Sequence, residues 1–454
     1  MMNPLKAEDG LPRKLGLFPL TNIVVANMIG AGIFTTSGLL MGDLKKPWLM
    51  LALWAVGGGI ALCGALSYGE LGAAIPRAGG EYAFLSRLFH PLFGFLSGWV
   101  SFFAGFSAPI AASAIGFSEY LTRAFPGLAQ PGLIGGSAEA IILKKSYSIL
   151  VILIFVLIHA RGIEVGARVQ NLLTLLKVAL IAGLIVAGFS SGRGDFAHLA
   201  QGGDFAFDFG GWKTMGLSLM WIMFAYSGWN ASAYIGSEVK NPQRNLPRSL
   251  LLGTGIVLLV YLLLNLFYVY AVAPGQMSGV IPIGGLAAGN LFGKSFESII
   301  SLLIAFALFS SLSAYIILGP RVYYAMARDR CFFPFASSVH PRFKVPAKSI
   351  LLQGLIAAVL VLFGTFDQIL TYMGFSLGIF PILAVFGIFK LRRAGTGGYR
   401  LPGFPVVPLV YIFFGLSILV LGYLERPVES SIALGMAVIG IPVYWLFRKT
   451  LKRD

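Results

Sequence analysis

Long apolar runs, separated by short polar or Pro/Gly-rich stretches, fill the chain from residue 17 to residue 447. Runs of about 18 or more apolar residues have the length of a helix that crosses a bilayer. Read between charged breaks, the pattern predicts about twelve helical spans, at 17–40, 48–75, 91–122, 146–160, 166–190, 212–237, 249–272, 296–327, 347–364, 367–390, 404–423 and 430–447. The fourth is short, and the third and eighth are long enough to protrude or tilt. A membrane β-barrel would show short alternating segments instead. The longest non-apolar stretches, about 123–145 and 191–211, are too short for a core of their own, so no soluble domain is expected.

Composition agrees with this pattern. Hydrophobic residues make up 57% of the 454 positions and charged residues only 11%, against roughly a quarter charged in a soluble domain. Mean hydropathy is +0.83. A soluble globular protein, a disordered chain and a nucleic-acid binder are all excluded. The net charge of +16 reflects orientation: of 34 Lys and Arg, 24 fall in segments on one side, 9 on the other, and Lys177 lies inside a span. That asymmetry is the positive-inside rule, and it puts both termini in the cytoplasm of a multi-pass protein of the cell membrane. The basic residues then serve orientation and contact with the lipid bilayer. The polar N-terminus, MMNPLKAEDGLPRKLG, lacks a small-residue cleavage site after its first apolar run and does not have the form of a cleaved signal peptide. Cys63 lies in an apolar run and Cys331 in a basic loop, so no disulfide is expected.

Two mid-membrane segments depart from ordinary helix sequence. Gly30 and Gly32 sit within NMIGAGIF, residues 27–34, and Ser227, Gly228 and Asn230 within FAYSGWNASAY, residues 224–234. Close helix packing explains one such segment well enough. Two of them five spans apart suggest two five-helix repeats with corresponding first helices broken, inverted because five is odd. Broken helices leave N–H and C=O groups that hydrocarbon cannot satisfy, so a ligand, ion or cavity water must do so. A half-helix starting near Gly30–Gly32 offers N–H groups and a positive dipole end to a carboxylate. Half-helices ending near Met28 and at Phe224–Ser227 offer carbonyls to an ammonium group. Both signs together describe the backbone of a free α-amino acid.

NMIGAGIF resembles the first-helix motif of the amino acid–polyamine–organocation (APC) superfamily. FAYSGWNASAYIGSEVKNPQRNLPRSL, residues 224–250, is similar to the sixth-helix signature of its L-type amino acid transporters. YGELGAAIPRAGGEYAFLSRLFHPLFGFLSGW at 68–99 and LGPRVYYAMARDRCFFP at 318–334 extend the resemblance over nearly the whole chain. It implies an all-α integral membrane protein of LeuT-like 5+5 inverted-repeat fold with helices 1 and 6 broken. The repeats would cover 1–190 and 191–400, with two further helices and a cytoplasmic tail in 401–454. It also implies amino-acid transport by alternating access. By position it implies carboxylate binding at Gly30, Ala31 and Gly32, and amine binding by carbonyls of Met28, Phe224 and Ser227. Phe224 would also be an aromatic gate, and Asn230 would lie beside the substrate. Ala31 stands where a serine is common and Ala231 where a tyrosine often follows. Mammalian L-type relatives join an accessory glycoprotein through a cysteine in the loop between spans 3 and 4. The corresponding stretch here has no cysteine, so no disulfide-linked subunit is expected.

Lys177 lies about eleven residues from either end of span 5, roughly 16 Å from each boundary. That is too deep to snorkel easily, and a charge there costs at least about 2.5–3.5 kcal/mol unless it finds partners. The resemblance gives it a role: in several sodium-independent members a fifth-helix lysine puts its amine where sodium-coupled relatives bind an ion. Its expected partners are carbonyls of the first helix and hydroxyls of Ser310, Ser311 or Ser313. Glu70 is either an interfacial charge or a gate partner of Arg77, Arg168 or Arg248. Arg321 is expected to be a surface anchor, and His159 no proton relay. The histidines at 90, 159, 198 and 340 are scattered, so no metal site is expected. No cofactor motif or catalytic set is present, which excludes an enzyme.

Spans 1, 3, 6, 8 and 10, expected to line the pocket, carry no Asp or Glu near mid-membrane. A cationic side chain there would lack a counter-ion. The expected function is sodium-independent transport of neutral L-amino acids, by exchange or facilitation. The alternatives are proton-coupled uptake, exchange of cationic amino acids or polyamines, a channel, and a non-transporting amino acid sensor.

Overall fold

The computed structural model describes residue 13 and residues 15–450, apart from 78, 130–136, 162, 344, 396 and 397. Its elements are helical: α1 (Leu17–Met28), α2 (Ala31–Leu44), α3 (Pro47–Ala74), α4 (Glu81–Leu88), α5 (Pro91–Ala124), α6 (Ser137–Ala160), α7 (Ile163–Ser190), α8 (Phe209–Ala225), α9 (Pro242–Ala271), α10 (Ile283–Phe292), α11 (Lys294–Arg328), α12 (Ala347–Phe363), α13 (Phe366–Arg393), α14 (Val406–Glu425) and α15 (Pro427–Thr450). Among the described residues the only β-pairing is an isolated bridge between Leu15 and Val239.

Nine stretches, with α1 and α2 counted as one, are long and apolar enough among the described residues to cross a membrane. The expected spans 5, 6 and 9 fall on α7, α8 and α12. Of these, α8 and α12 are only 17 residues long. Leucine, valine and phenylalanine side chains such as Leu175, Val186, Leu259, Phe306, Phe363, Phe413 and Val438 are exposed on the outside of the bundle. An apolar exterior around an apolar core is what lipid, not water, accommodates. The chain is a multi-pass membrane protein.

Several expected boundaries shift. Span 4 is not short: α6 runs 24 residues and takes in Lys144 and Lys145. Charged residues end an apolar run in sequence but not a helix. Lys144 reaches Glu119 at 2.8 Å, and Lys145 donates to the Leu362 carbonyl at 2.7 Å. In span 6 the α-helix stops at Ala225. Beyond it the chain turns and runs as 3-10 helix over Ala231–Tyr234 and Gly236–Glu238. Span 3 bulges into π-helix at Ser101–Ser107, where Pro109 removes a backbone donor.

The partner of Glu70 is an arginine not named for it. Arg392 grips it in a two-pronged bridge, 2.7 Å to each oxygen, and the Leu401 N–H donates at 2.9 Å. Arg392 also stacks on Phe404, 3.8 Å from the ring centroid. The pairing crosses 322 positions of sequence and ties the end of α13 to α3, and the Leu401 bond adds the segment after α13. The side chains of Arg168 and Arg321 lie outside the described residues.

Helix α2 meets α8 at Gly32, where a Cβ would stand 2.5 Å from the Cα and Cβ of Ala225. At Gly30 the nearest atom to such a Cβ is Ser311 Oγ at 3.5 Å, an ordinary contact, and φ is −125°. Gly32→Ala should therefore lower the melting temperature of the detergent-solubilised protein, a loss of roughly 1–3 kcal/mol. Gly30→Ala should melt within about 1 kcal/mol of wild type. Equal melting of the two variants would contradict this packing account.

Candidate functional site

Helical hydrogen bonding fails at Ile29–Gly30, between α1 and α2, with both residues in extended backbone conformation. Apolar surroundings make unpaired peptide groups there costly. Side chains from three other helices meet them. The Lys177 ammonium, fully buried on α7, donates to the Ala26 carbonyl at 3.2 Å and to the Ile29 carbonyl. Ser311 Oγ on α11 also points at the Ile29 carbonyl, at 3.5 Å. Ser313, another residue named for Lys177, instead meets His159 Nε2 at 3.0 Å.

Tyr261 on α9 supplies the third contact. Its hydroxyl lies 2.5 Å from the Met28 carbonyl and 3.0 Å from that of Ala225. One hydroxyl has one proton, so it donates to one of these carbonyls at a time. A single phenol thus joins the end of α1 and the end of α8.

The segment after α8 packs beside this break. Gly228 has φ of +95°, and a Cβ on it would lie 2.9 Å from the Asn27 carbonyl carbon. Glycine is required there for both conformation and approach. Phe224, Ser227 and Asn230 line a cavity of about 2810 Å³, together with Ala26 and Asn27 of α1. Met28, Gly30, Ala31 and Gly32 are buried and are not among the lining residues. The mouth of the cavity carries Arg13, Arg77, Arg87, Arg244 and Arg328. It thus opens on the side of the bundle rich in Lys and Arg.

The opposite end is sealed. Tyr120 donates to the Phe34 carbonyl at 2.5 Å and accepts from the Gly284 N–H at 3.0 Å. Ser37 reaches Asn265 Oδ1 at 2.5 Å. The Gly279 N–H donates to the Gly38 carbonyl at 2.8 Å, and a Cβ on Gly38 would collide with the Val280 carbonyl oxygen at 1.9 Å. Helix α10 and the turn before it form this lid.

A carboxylate missed in the sequence also lines the cavity. Glu81, at the start of α4, is 4% exposed. It lies between spans 2 and 3, so a survey of the spans for Asp and Glu passes over it. Tyr68 donates to its Oε1 at 2.8 Å and Asn230 Nδ2 at 2.6 Å. Tyr261 was missed too, though its signal was present: Tyr261, Asn265 and Tyr268 share one face of an otherwise apolar helix. Polar tips on a buried face need partners.

A family profile described as amino acid permease matches residues 15–447. The chain belongs to this family, part of the APC superfamily. It is 29% identical to the serine/threonine exchanger SteT of Bacillus subtilis, over 97% of this chain and 98% of that protein. It is 26% identical to the Asc-type amino acid transporter 1 of mouse, over 96% of this chain and 81% of the relative. The large neutral amino acids transporter small subunit 2 of mouse matches at 26%, over the same shares. These relatives are transporters, and the chain is not an enzyme.

Lys177 touches the break but not the cavity. Removing its ammonium should loosen α7 from the broken helix and disturb interconversion of states more than ligand contact. Lys177→Ala should lose most of its flux, at least about tenfold, with a smaller change in equilibrium amino acid affinity. Scintillation-proximity binding and liposome uptake on the same preparation check this. Full flux in the variant would reduce the lysine to a packed side chain.

Proposed function

We propose that the chain is a sodium-independent secondary transporter of neutral L-amino acids, working by alternating access in the cell membrane with both termini cytoplasmic. The observation that carries this reading is the Lys177 ammonium, bonded to the Ala26 and Ile29 carbonyls where the helix is interrupted. In this reading its amine supplies hydrogen-bond donors, and when protonated positive charge, between α1 and α7, the service a bound sodium ion would give. The architecture proposed with it is about twelve spans, in repeats over 1–190 and 191–400 followed by 401–454. The interruptions at Ile29–Gly30 and after Ala225 support it. The cavity opening on the basic side supports an inward-open state, with the Tyr120 and Asn265 contacts as the closed outer gate.

In this reading Phe224, Ser227 and Asn230 meet the substrate in the cavity. Peptide groups of Met28, Gly30, Ala31 and Gly32 meet it where α1 and α2 part. The Met28 carbonyl already accepts from Tyr261 and keeps a second lone pair for an amine. Exchange is supported by the likeness to SteT, whose name states that mode.

One observation favours the cationic alternative: Glu81 puts a carboxylate on the cavity wall. Its Oε1 already accepts from Tyr68 and Asn230. Neutral substrates therefore remain the reading advanced. Arginine competing as well as neutral amino acids would reverse that choice.

Purified protein in liposomes provides the test. Uptake of labelled neutral amino acid should run equally in sodium and in choline buffer and be stimulated by internal amino acid. A steep sodium requirement would overturn the role given to Lys177. Ion current without saturable uptake would indicate a channel, and binding without flux a sensor.

The accessory subunit has its own test. No cysteine lies between residues 123 and 145. The single polypeptide should therefore retain activity through purification. Activity lost on purification and restored by a disulfide-linked partner would contradict this.

A further inference from the structure

The hydrogen bonds around Glu81 fix which way the Asn230 amide faces. Asn230 Nδ2 donates to Glu81 Oε1 at 2.6 Å, so the amide NH₂ faces the carboxyl group. The amide nitrogen is thereby committed to Glu81. Asn230 lines the cavity, and the polar atom it has left to offer is the carbonyl oxygen.

We infer that Glu81 is a positioning residue that holds Asn230 with its side-chain oxygen turned to the substrate, so that the pocket favours amino acids whose side chain carries a hydrogen-bond donor. This rests on the transport reading and on Asn230 as a substrate contact. The carbonyls at the helix interruptions account for the α-amine, so the donor met by Asn230 belongs to the side chain. A short hydroxyl side chain fits this description, whereas an aliphatic side chain of equal size leaves the oxygen without a partner. Sites built to bond a substrate hydroxyl reject the analogue that lacks it, because a desolvated polar group is then unpaired.

A buried carboxylate is costly to desolvate, and here neutral donors on α3 and on the segment after α8 offset that cost. Glutamine in its place would offer one acceptor and two donors of its own. Tyr68 and Asn230 would compete for that acceptor, and the Asn230 amide could turn over.

The experiment compares serine with 2-aminobutyrate, which replaces the hydroxyl by a methyl group, in liposomes holding wild type, Glu81→Gln, or Glu81→Gln combined with Asn230→Asp. Wild type should show a KM for serine about 3–10-fold below that for 2-aminobutyrate, the range of one net hydrogen bond. In Glu81→Gln the KM for serine should rise toward that of 2-aminobutyrate, whose own KM changes by a much smaller factor. In the double variant the introduced glutamine donates to the introduced aspartate, whose second oxygen faces the cavity. The serine preference should return.

A serine to 2-aminobutyrate ratio unchanged by Glu81→Gln overturns the role of Glu81 and leaves the transport reading standing. A double variant no more selective than the single one does the same. Should Glu81→Gln fail to insert, the wild-type ratio decides: equal KM values overturn the inference. Wild-type liposomes that take up neither amino acid, nor any other neutral one, overturn both readings.

Discussion

Carbonyls at the end of α1 stand inside an apolar bundle where the helix breaks off, and side chains from three other helices are arranged to satisfy them. A regular helix would need no such help. Instead an ammonium from α7, a hydroxyl from α11 and a phenol from α9 converge on the carbonyls of Ala26, Met28 and Ile29. Each carries its own cost of burial, so the interruption is maintained against the preference of the chain. An interrupted backbone also has room to rearrange, because its partners are side chains that can let go. The same phenol reaches the end of α8, so a change at one interruption is felt at the other.

The two ends of the bundle divide the work. Toward the basic side a large cavity reaches inward past Phe224, Ser227 and Asn230. Toward the other side, glycines let backbones meet directly: Gly38 lies against the turn at Gly279–Val280. Hydrogen bonds from Tyr120 and Ser37 pin that contact. Small residues with polar partners are a common means of closing helices on one another where lipid gives no hydrophobic drive. They also open again without exposing a large apolar face. On the basic side, the Glu70–Arg392 bridge ties distant segments together outside the cavity.

Much of this was legible along the chain. Apolar run lengths gave the helices, since bilayer thickness and the rise per residue leave little freedom. Gly30 and the cluster Ser227, Gly228 and Asn230 marked where α-helix stops. A lysine eleven residues from either end of a span announced that it needed partners. Boundaries marked by charge were less faithful: Lys144 and Lys145 belong to α6 because long side chains carry their charges to partners elsewhere. Glu81 was passed over because its helix looks like a surface connector in sequence and folds into the cavity only in three dimensions.

The sequence by itself thus determined the class of protein and the points of weakness in its helices, because both follow from local chemistry: apolar length, glycine, and charge at depth. Only the tertiary structure decided the partners. Lys177 meets Ala26 and Ile29 across about 150 positions. Glu70 takes Arg392 across 322 positions, and Glu81 takes Asn230 across 149. Hydrogen bonds and ion pairs act over about 3 Å, a distance that chain order does not encode, so which donor reaches which acceptor is settled by how the helices pack.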